Sequence, residues 1–270
     1  MSFVSEIVRA AIGLATLALL FGVLEWLWPE NRQQRKRRAG LLTDVVWWFV
    51  GYGTRFLGTV GAVVLAIVVM RLVPLAQPLA PQISLQPGWL QAFEVIFIGD
   101  FLGYWIHRLF HENAWLWPFH AIHHSSEQLD WLSATRVHPV DSIAHRLAPV
   151  ALFYLLGFSG TVLGPFLLFL ALYPIALHAN LAWRFGLLGY IFVSPAFHRW
   201  HHTAEEMGLD KNFAGLFALF DYLFGTAYLP RWQPSTFGLY REQAPRDFFG
   251  QLLYPFRRKS PEPAQAAYDR

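Results

Sequence analysis

Asp100-Phe-Leu-Gly-Tyr-Trp-Ile-His107-Arg-Leu-Phe-His111-Glu-Asn-Ala-Trp-Leu-Trp-Pro-Phe-His120-Ala-Ile-His123-His124 is the stretch on which the reading of this chain turns. It closes an apolar run, Trp89 to Leu109, and carries five histidines as HxxxH followed by HxxHH. A later block, His198-Arg-Trp-His201-His202, repeats the second pattern. On a helix, positions i, i+3 and i+4 share a face, so each block presents its imidazoles as one array. Eight of the chain's eleven histidines occupy these 23 positions, where an even scatter would place about one. A single histidine is ordinarily a hydrogen-bonded core residue. Eight beside an apolar segment serve no packing purpose, and if protonated they would repel one another. Arrays from separate helices that converge can surround two metal ions. Imidazole suits iron, zinc, copper and nickel alike, so ligand type alone does not choose the metal.

The surroundings of these blocks are those of a membrane protein. In 270 residues, 55% are hydrophobic, 17% aromatic and 14% charged, against about 25% charged in ordinary soluble domains. The mean hydropathy is +0.33. Cysteine is absent, which excludes a disulfide scaffold, thiolate zinc sites, iron–sulfur clusters and cysteine nucleophiles. A net charge of +3, scattered along the chain, gives no nucleic-acid footprint.

Apolar stretches run from Phe3 to Trp28, Leu41 to Pro74, Trp89 to Leu109, Leu147 to Phe158 and Val162 to Leu177. Their lengths predict an all-α integral membrane protein with about four transmembrane helices and a histidine-rich helical cap. The first is not read as a cleaved signal peptide, because its basic cluster follows the apolar core. That cluster, Arg32, Arg35, Lys36, Arg37 and Arg38, marks a cytoplasmic loop by the positive-inside rule and places the cap on that side. Pro74 to Pro87, with four prolines and no charge, fits the far side or a loop dipping into the bilayer. Three regions follow: 1–88, N-terminal transmembrane helices and the basic loop; 89–230, the histidine-box region with its own transmembrane helices; and 231–270, a C-terminal cytoplasmic segment with a disordered Pro/Ala-rich tail from about Lys259.

At the histidine blocks the chain resembles the sterol desaturase and fatty acid hydroxylase superfamily of membrane oxygenases, which shows HxxxH, HxxHH and a later HxxHH in this order. The likeness extends to Asp100–Arg108, Trp115–Ser125, Thr135-Arg136-Val-His138-Pro139, His178-Ala-Asn180, Asp210-Lys-Asn212 and Asp221–Thr226, over about residues 90–230. Asp141 stands where many relatives have Glu. The resemblance implies a non-haem di-iron centre that activates O2 to oxidise a lipid C–H bond, by hydroxylation or desaturation. It implies His107, His111, His120, His123, His124, His198, His201 and His202 as iron ligands, His178 as a ninth ligand or immediate neighbour, and His138 as a further candidate. An external electron donor, a small cytoplasmic redox protein, is implied with it.

Asp100, seven residues before His107 and so two turns away on one helix face, is read as orienting a ligand ring in the catalytic centre. Asn180 is read as a supporting residue beside His178, with Glu112, Asp130, Asp141 and Asp210 as weaker candidates for such work. His145 is assigned a structural or surface role. The segment Leu181 to Val193, with one charge, is read as part of a lipid entrance. A membrane zinc hydrolase is the competing enzyme reading, although the HExxH motif with its general base is missing. A metal carrier or haem protein is the non-enzymatic alternative.

Overall fold

Gly51, Thr54, Gly58, Ala62 and Ala66 put a small buried residue at nearly every turn of one long helix, α2 (Leu41–Leu72). Such a stripe lets helices approach closely inside a membrane, where packing replaces the hydrophobic effect as the driving force. In the computed structural model, which describes residues 3–72 and 80–257, helix α6 (Pro139–Leu155) lies along this stripe. A methyl group at Gly58 would stand 3.5 Å from the Ile143 Cα and the Arg146 Cβ. Ala62 and Ala66 pack on Val150 and Ala151. Phe56, Leu57, Val60 and Val64 on α2 remain exposed, an apolar surface suited to lipid.

Helix α1 (Phe3–Leu27) packs against the start of α2, where the Trp48 indole N–H donates to the Ala10 carbonyl at 2.8 Å. After the short α3 (Ala80–Ser84), α4 (Gly88–Glu112) crosses α7 (Gly160–His178). The missing side chain of Gly99 makes room for the Phe166 ring, in a core that also holds Val95, Phe153 and Phe158. The cap is built from short helices: α5 (Trp117–His124), α8 (Pro195–His201), α9 (Leu219–Leu223) and α10 (Phe248–Arg257). Helix α10 closes onto the cap from outside. The Trp47 indole donates to Gln251 Oε1 at 2.7 Å, and Trp47 meets Phe248 edge-on at 4.8 Å. Among the described residues only isolated bridges, such as Pro29 with Leu181, stand in for sheet structure.

The protein is thus helical, with a histidine-rich cap on apolar helices. Among the described residues, three helices are long and apolar enough to cross a membrane: Val4–Leu27, Leu41–Leu72 and Gly160–His178. The sequence suggested about four. The difference lies in α4, which has 25 residues but is diluted by Asp100, His107, Arg108 and His111, and in α6, which has only 17. The loop expected between Pro74 and Pro87 falls partly, and the tail from Lys259 wholly, outside the described residues.

Arg38 stands apart from the other cations of the basic loop. Arg32, Arg35, Lys36 and Arg37 are exposed, whereas Arg38 is buried between Asp44 (2.6 Å) and Asp130 (2.7 Å). Arg136 joins the same node through Asp44 at 2.6 Å. Two guanidiniums and two carboxylates thereby join the start of α2 to the loop carrying Asp130 and to the entry of α6. Breaking a buried pair by removing one partner strands a charge and costs about 3–5 kcal/mol. Asp44→Asn is therefore expected to lower the melting temperature in detergent sharply. Arg37→Ala, one residue from the node but exposed, should shift stability by less than about 0.5 kcal/mol.

Candidate metal centre

Helices α4, α5, α7 and α8 bring nine histidines together in two adjoining groups. His107, His111, His120, His124 and His201 form one, and His123, His178, His198 and His202 form the other. Within each group the ring nitrogens lie within 4.8 Å of one another. The groups touch, with the His124 and His202 rings stacked at 4.3 Å. Helical pitch decides the division. In α5 the i and i+4 residues of the HxxHH block, His120 and His124, join the first group, and the i+3 residue, His123, joins the second. The α8 block does the reverse: His198 and His202 go to the second group and His201 to the first. Helix α4 adds its i, i+4 pair to the first, and α7 ends on His178 in the second.

The outer nitrogens show what the inner ones offer. His107 Nδ1 lies 2.7 Å from the Phe213 carbonyl, His178 Nδ1 2.7 Å from Pro174 O, His201 Nδ1 2.8 Å from Lys211 O and His123 Nδ1 3.1 Å from Arg136 O. A carbonyl only accepts, so each of these Nδ1 atoms carries the proton, and the Nε2 of a neutral ring is then a bare lone pair. Asp141 and Asp210 fix His120 and His111 in the same tautomer, at 2.8 and 3.0 Å. The lone pairs face one another: His107 and His120 Nε2 are 2.9 Å apart, and His123 and His178 Nε2 are 3.1 Å apart. Nε2 of His111 and of His201 is buried with no partner at all. Acceptors aimed at acceptors repel unless a cation sits among them, so the donor set fits two metal ions.

Burial, with the neighbouring imidazoles adding to it, holds His123, His124, His198 and His202 well below the ordinary imidazole range. Burial pushes His201 down to about 3. These rings are neutral at pH 7 and ready to ligate.

A loop supplies much of this orientation. Asp210, Lys211 and Phe213 each engage one ligand ring, and Asp210 and Asn212 adopt left-handed backbone, with φ 53° and 61°. Asp221 holds the loop by accepting from the Phe213 and Ala214 amides at 2.7 and 2.9 Å. Asn212 clamps it through the Phe197 and Tyr228 carbonyls.

Several expected site residues sit elsewhere. His138 caps α6: its Nδ1 accepts from the Val140 amide and its Nε2 donates to Leu252 O, so neither nitrogen remains for a metal. Asp100 reaches no imidazole; its carboxylate accepts from the Leu216 and Phe217 amides at 2.8 and 2.7 Å, tying α4 to the following loop. Asn180 exchanges hydrogen bonds with the Asn31 backbone and fastens the chain beyond His178 to the N-terminal region. Asp130 serves the ionic node, and Glu112 pairs with Arg108. His145, assigned a structural or surface role, lies beside the centre: its Nδ1 stands 2.7 Å from the Asp141 carboxylate that also holds His120.

Residues 92–226, half of the chain, match the fatty acid hydroxylase family. The chain belongs to that family. Over 259 residues it is 30% identical to ornithine lipid hydroxylase OlsE of Rhizobium tropici, a match covering 91% of the chain and 75% of the relative. It is 34% identical to alkylglycerol monooxygenase of Homo sapiens over 51% of the chain and 30% of that protein. The Caenorhabditis elegans alkylglycerol monooxygenase is 29% identical, over 60% of the chain and 31% of its own length. No solved structure matches. The chain is accordingly an enzyme that oxidises lipid C–H bonds, with histidine clusters able to bind metal.

Two outcomes are expected. His111→Ala should empty the first group while the second retains its ion, and His178→Ala should do the converse, as read by metal analysis of the purified protein. Acid should destabilise the metal-free fold: the imidazoles are held below their unfolded value of ~6.5, so as pH falls through it the unfolded chain binds protons that the folded chain refuses. Melting temperatures measured from pH 8 down to pH 5 should fall over the lower half of that range.

Proposed function

We propose that this protein is an iron- and O2-dependent lipid hydroxylase whose two histidine groups each hold one iron, with its active site on the cytoplasmic face of the membrane. The observation that carries the reading is a cavity of about 270 Å3 that joins the imidazoles to the apolar helices. Trp48, Gly99, Gly103, Leu170 and Ile175 line it, and His107, His120, His123 and His178 border it. A lipid chain fits these apolar walls, which also carry a few polar side chains, Thr135, Ser142, Arg55 and Arg146 among them. Gly103, one turn before His107 on α4, leaves open space: a methyl group there would meet nothing within 4 Å. The exposed Leu187 and Leu188 extend an apolar surface on the segment read as the entrance.

When bound, the irons would supply electrons to O2 and the oxidising power that breaks the C–H bond, which zinc cannot do because it does not change oxidation state. The chain's own residues fix the imidazoles. Asp141 orients His120 and Asp210 orients His111, and the carbonyls of Arg136, Pro174, Lys211 and Phe213 orient four more rings. Carboxylates at this distance also raise the basicity of the rings they hold. The reducing electrons come from a small cytoplasmic redox protein. The exposed Arg32, Arg35, Lys36 and Arg37 support the cytoplasmic placement by the positive-inside rule. In this reading residues 1–88 anchor the enzyme, 89–230 carry the centre, and 231–270 brace the cap.

The relatives named for hydroxylation and mono-oxygenation favour insertion of oxygen over desaturation, and the ornithine lipid relative favours a membrane lipid with a polar head as substrate. Lipid extracts from cells expressing the protein should contain a species heavier by one oxygen atom, absent from cells expressing His123→Ala. A species lighter by two hydrogens would show desaturation instead, and formation of product without oxygen would overturn the reading. Asp141→Asn should weaken iron binding about 10–100-fold, as loss of a ligand's hydrogen-bond partner typically does.

A further inference from the structure

Two arginines, Arg55 on α2 and Arg146 on α6, line the same cavity as the imidazoles. Both are half-buried, and neither has an acidic partner among the described residues. The acids that border the cavity are already engaged: Asp141 holds His120 and His145, and Asp100 accepts the Leu216 and Phe217 amides. The helices make room for the pair. Gly51 and Gly58, seven residues apart on one face of α2, lie under one arginine each. A methyl group at Gly51 would stand 3.1 Å from Arg55 Nη1, and one at Gly58 would stand 3.5 and 3.6 Å from Arg146 Cβ and Cδ. The Arg55 guanidinium turns back past Gly51 toward the N-terminus of α2, over the Trp48 ring at 5.9 Å from its centroid. Trp48 lines the cavity as well.

Cations set among apolar helices are costly, and they persist where they line a substrate path or meet a counter-charge. Two of like sign facing one apolar space compound that cost. A bound anion relieves both terms, and guanidinium forks match carboxylate and phosphate oxygens in geometry.

We propose that Arg55 and Arg146 form an anion clamp in the wall of the substrate cavity, and that the lipid this enzyme oxidises carries a carboxylate or phosphate oxyanion held between them. The clamp rests on the reading of this cavity as the substrate site. It narrows the substrate to an acidic or zwitterionic lipid, because a neutral lipid leaves both guanidiniums uncompensated. It also sets which carbon is oxidised, since a fixed anion determines how far along the chain the imidazoles lie.

The test is displacement of an uncharged fluorescent fatty alcohol from purified, iron-loaded protein in neutral detergent micelles by palmitate, hexadecyl phosphate or 1-hexadecanol. One or both anions are expected to displace the probe at about tenfold lower concentration than the alcohol, as charge-assisted fork contacts provide. The more potent anion tells carboxylate from phosphate. Arg55→Gln and Arg146→Gln should each abolish that preference and leave iron content and displacement by hexadecanol as they were. Arg55→Lys and Arg146→Lys, which keep the charge, should retain part of it, so poor folding of a Gln variant does not decide the result.

Equal potency of the alcohol and both anions, or a preference that survives in both Gln variants, would overturn the clamp. So would loss of the preference on adding excess phosphatidylcholine, since the arginines would then hold ordinary bilayer phosphate. Displacement needs no turnover, which separates the two readings. Protein that shows the arginine-dependent preference but oxidises no lipid refutes the proposed function alone, and protein that oxidises lipid without preferring anions refutes the clamp alone.

Discussion

Most of the inward-facing lone pairs in the histidine cluster are set by a proton on the far side of the same ring. Where Nδ1 gives its hydrogen to a backbone carbonyl or an aspartate, Nε2 is left bare and its direction is fixed. Six of the nine converging histidines are held in this way, by Phe213, Asp210, Asp141, Arg136, Pro174 and Lys211. The remainder of the architecture keeps those six acceptors in place. Asp221 and Asn212 hold the loop bearing two of the carbonyls and Asp210. The ionic node of Arg38, Asp44, Asp130 and Arg136 fixes the segment whose carbonyl at Arg136 receives His123. Asp100 and Asn180 tie down the loops on either side. Buried polar groups that touch no imidazole thus serve the imidazoles at one remove.

This dependence explains why some of the site was legible in the sequence and some was not. The ligands could be read because helical spacing is written directly in residue types: i, i+3 and i+4 histidines share a face whatever surrounds them. Their partners could not, because four of the six are main-chain carbonyls, which every residue possesses and no side chain announces. Asp141 and Asp210 were among the weaker candidates, and nothing in their local sequence ranks them above Asp100, whose seven-residue spacing from His107 was the better helical argument. The structure uses Asp100 for backbone amides because the loop 215–217 passes within reach of it. His138 shows the same limit. A histidine before proline reads equally as a ligand or as a helix cap, and only the position of Leu252, over a hundred residues away, decides for the cap.

The membrane part was legible to a similar depth. Long apolar runs gave the helices, but which of them have enough apolar surface to cross depends on polar residues that the site itself requires. Helix α4 is the instructive case: the histidines that make it useful also make it less like a span. Arg38 is another, since its place in a run of cations says nothing of the two carboxylates, from positions 44 and 130, that enclose it. Its four basic neighbours keep the exposure their composition suggested.

The opposed division of the two HxxHH blocks couples the two histidine groups to each other. Helices α5 and α8 each send rings to both groups, so neither group has a scaffold of its own. Two ions held there would have their separation measured out by the rise and rotation between positions i, i+3 and i+4 of a rigid helix, not by whatever small ligand came to lie between them. Substrate, oxygen or water can enter and leave without resetting that ruler.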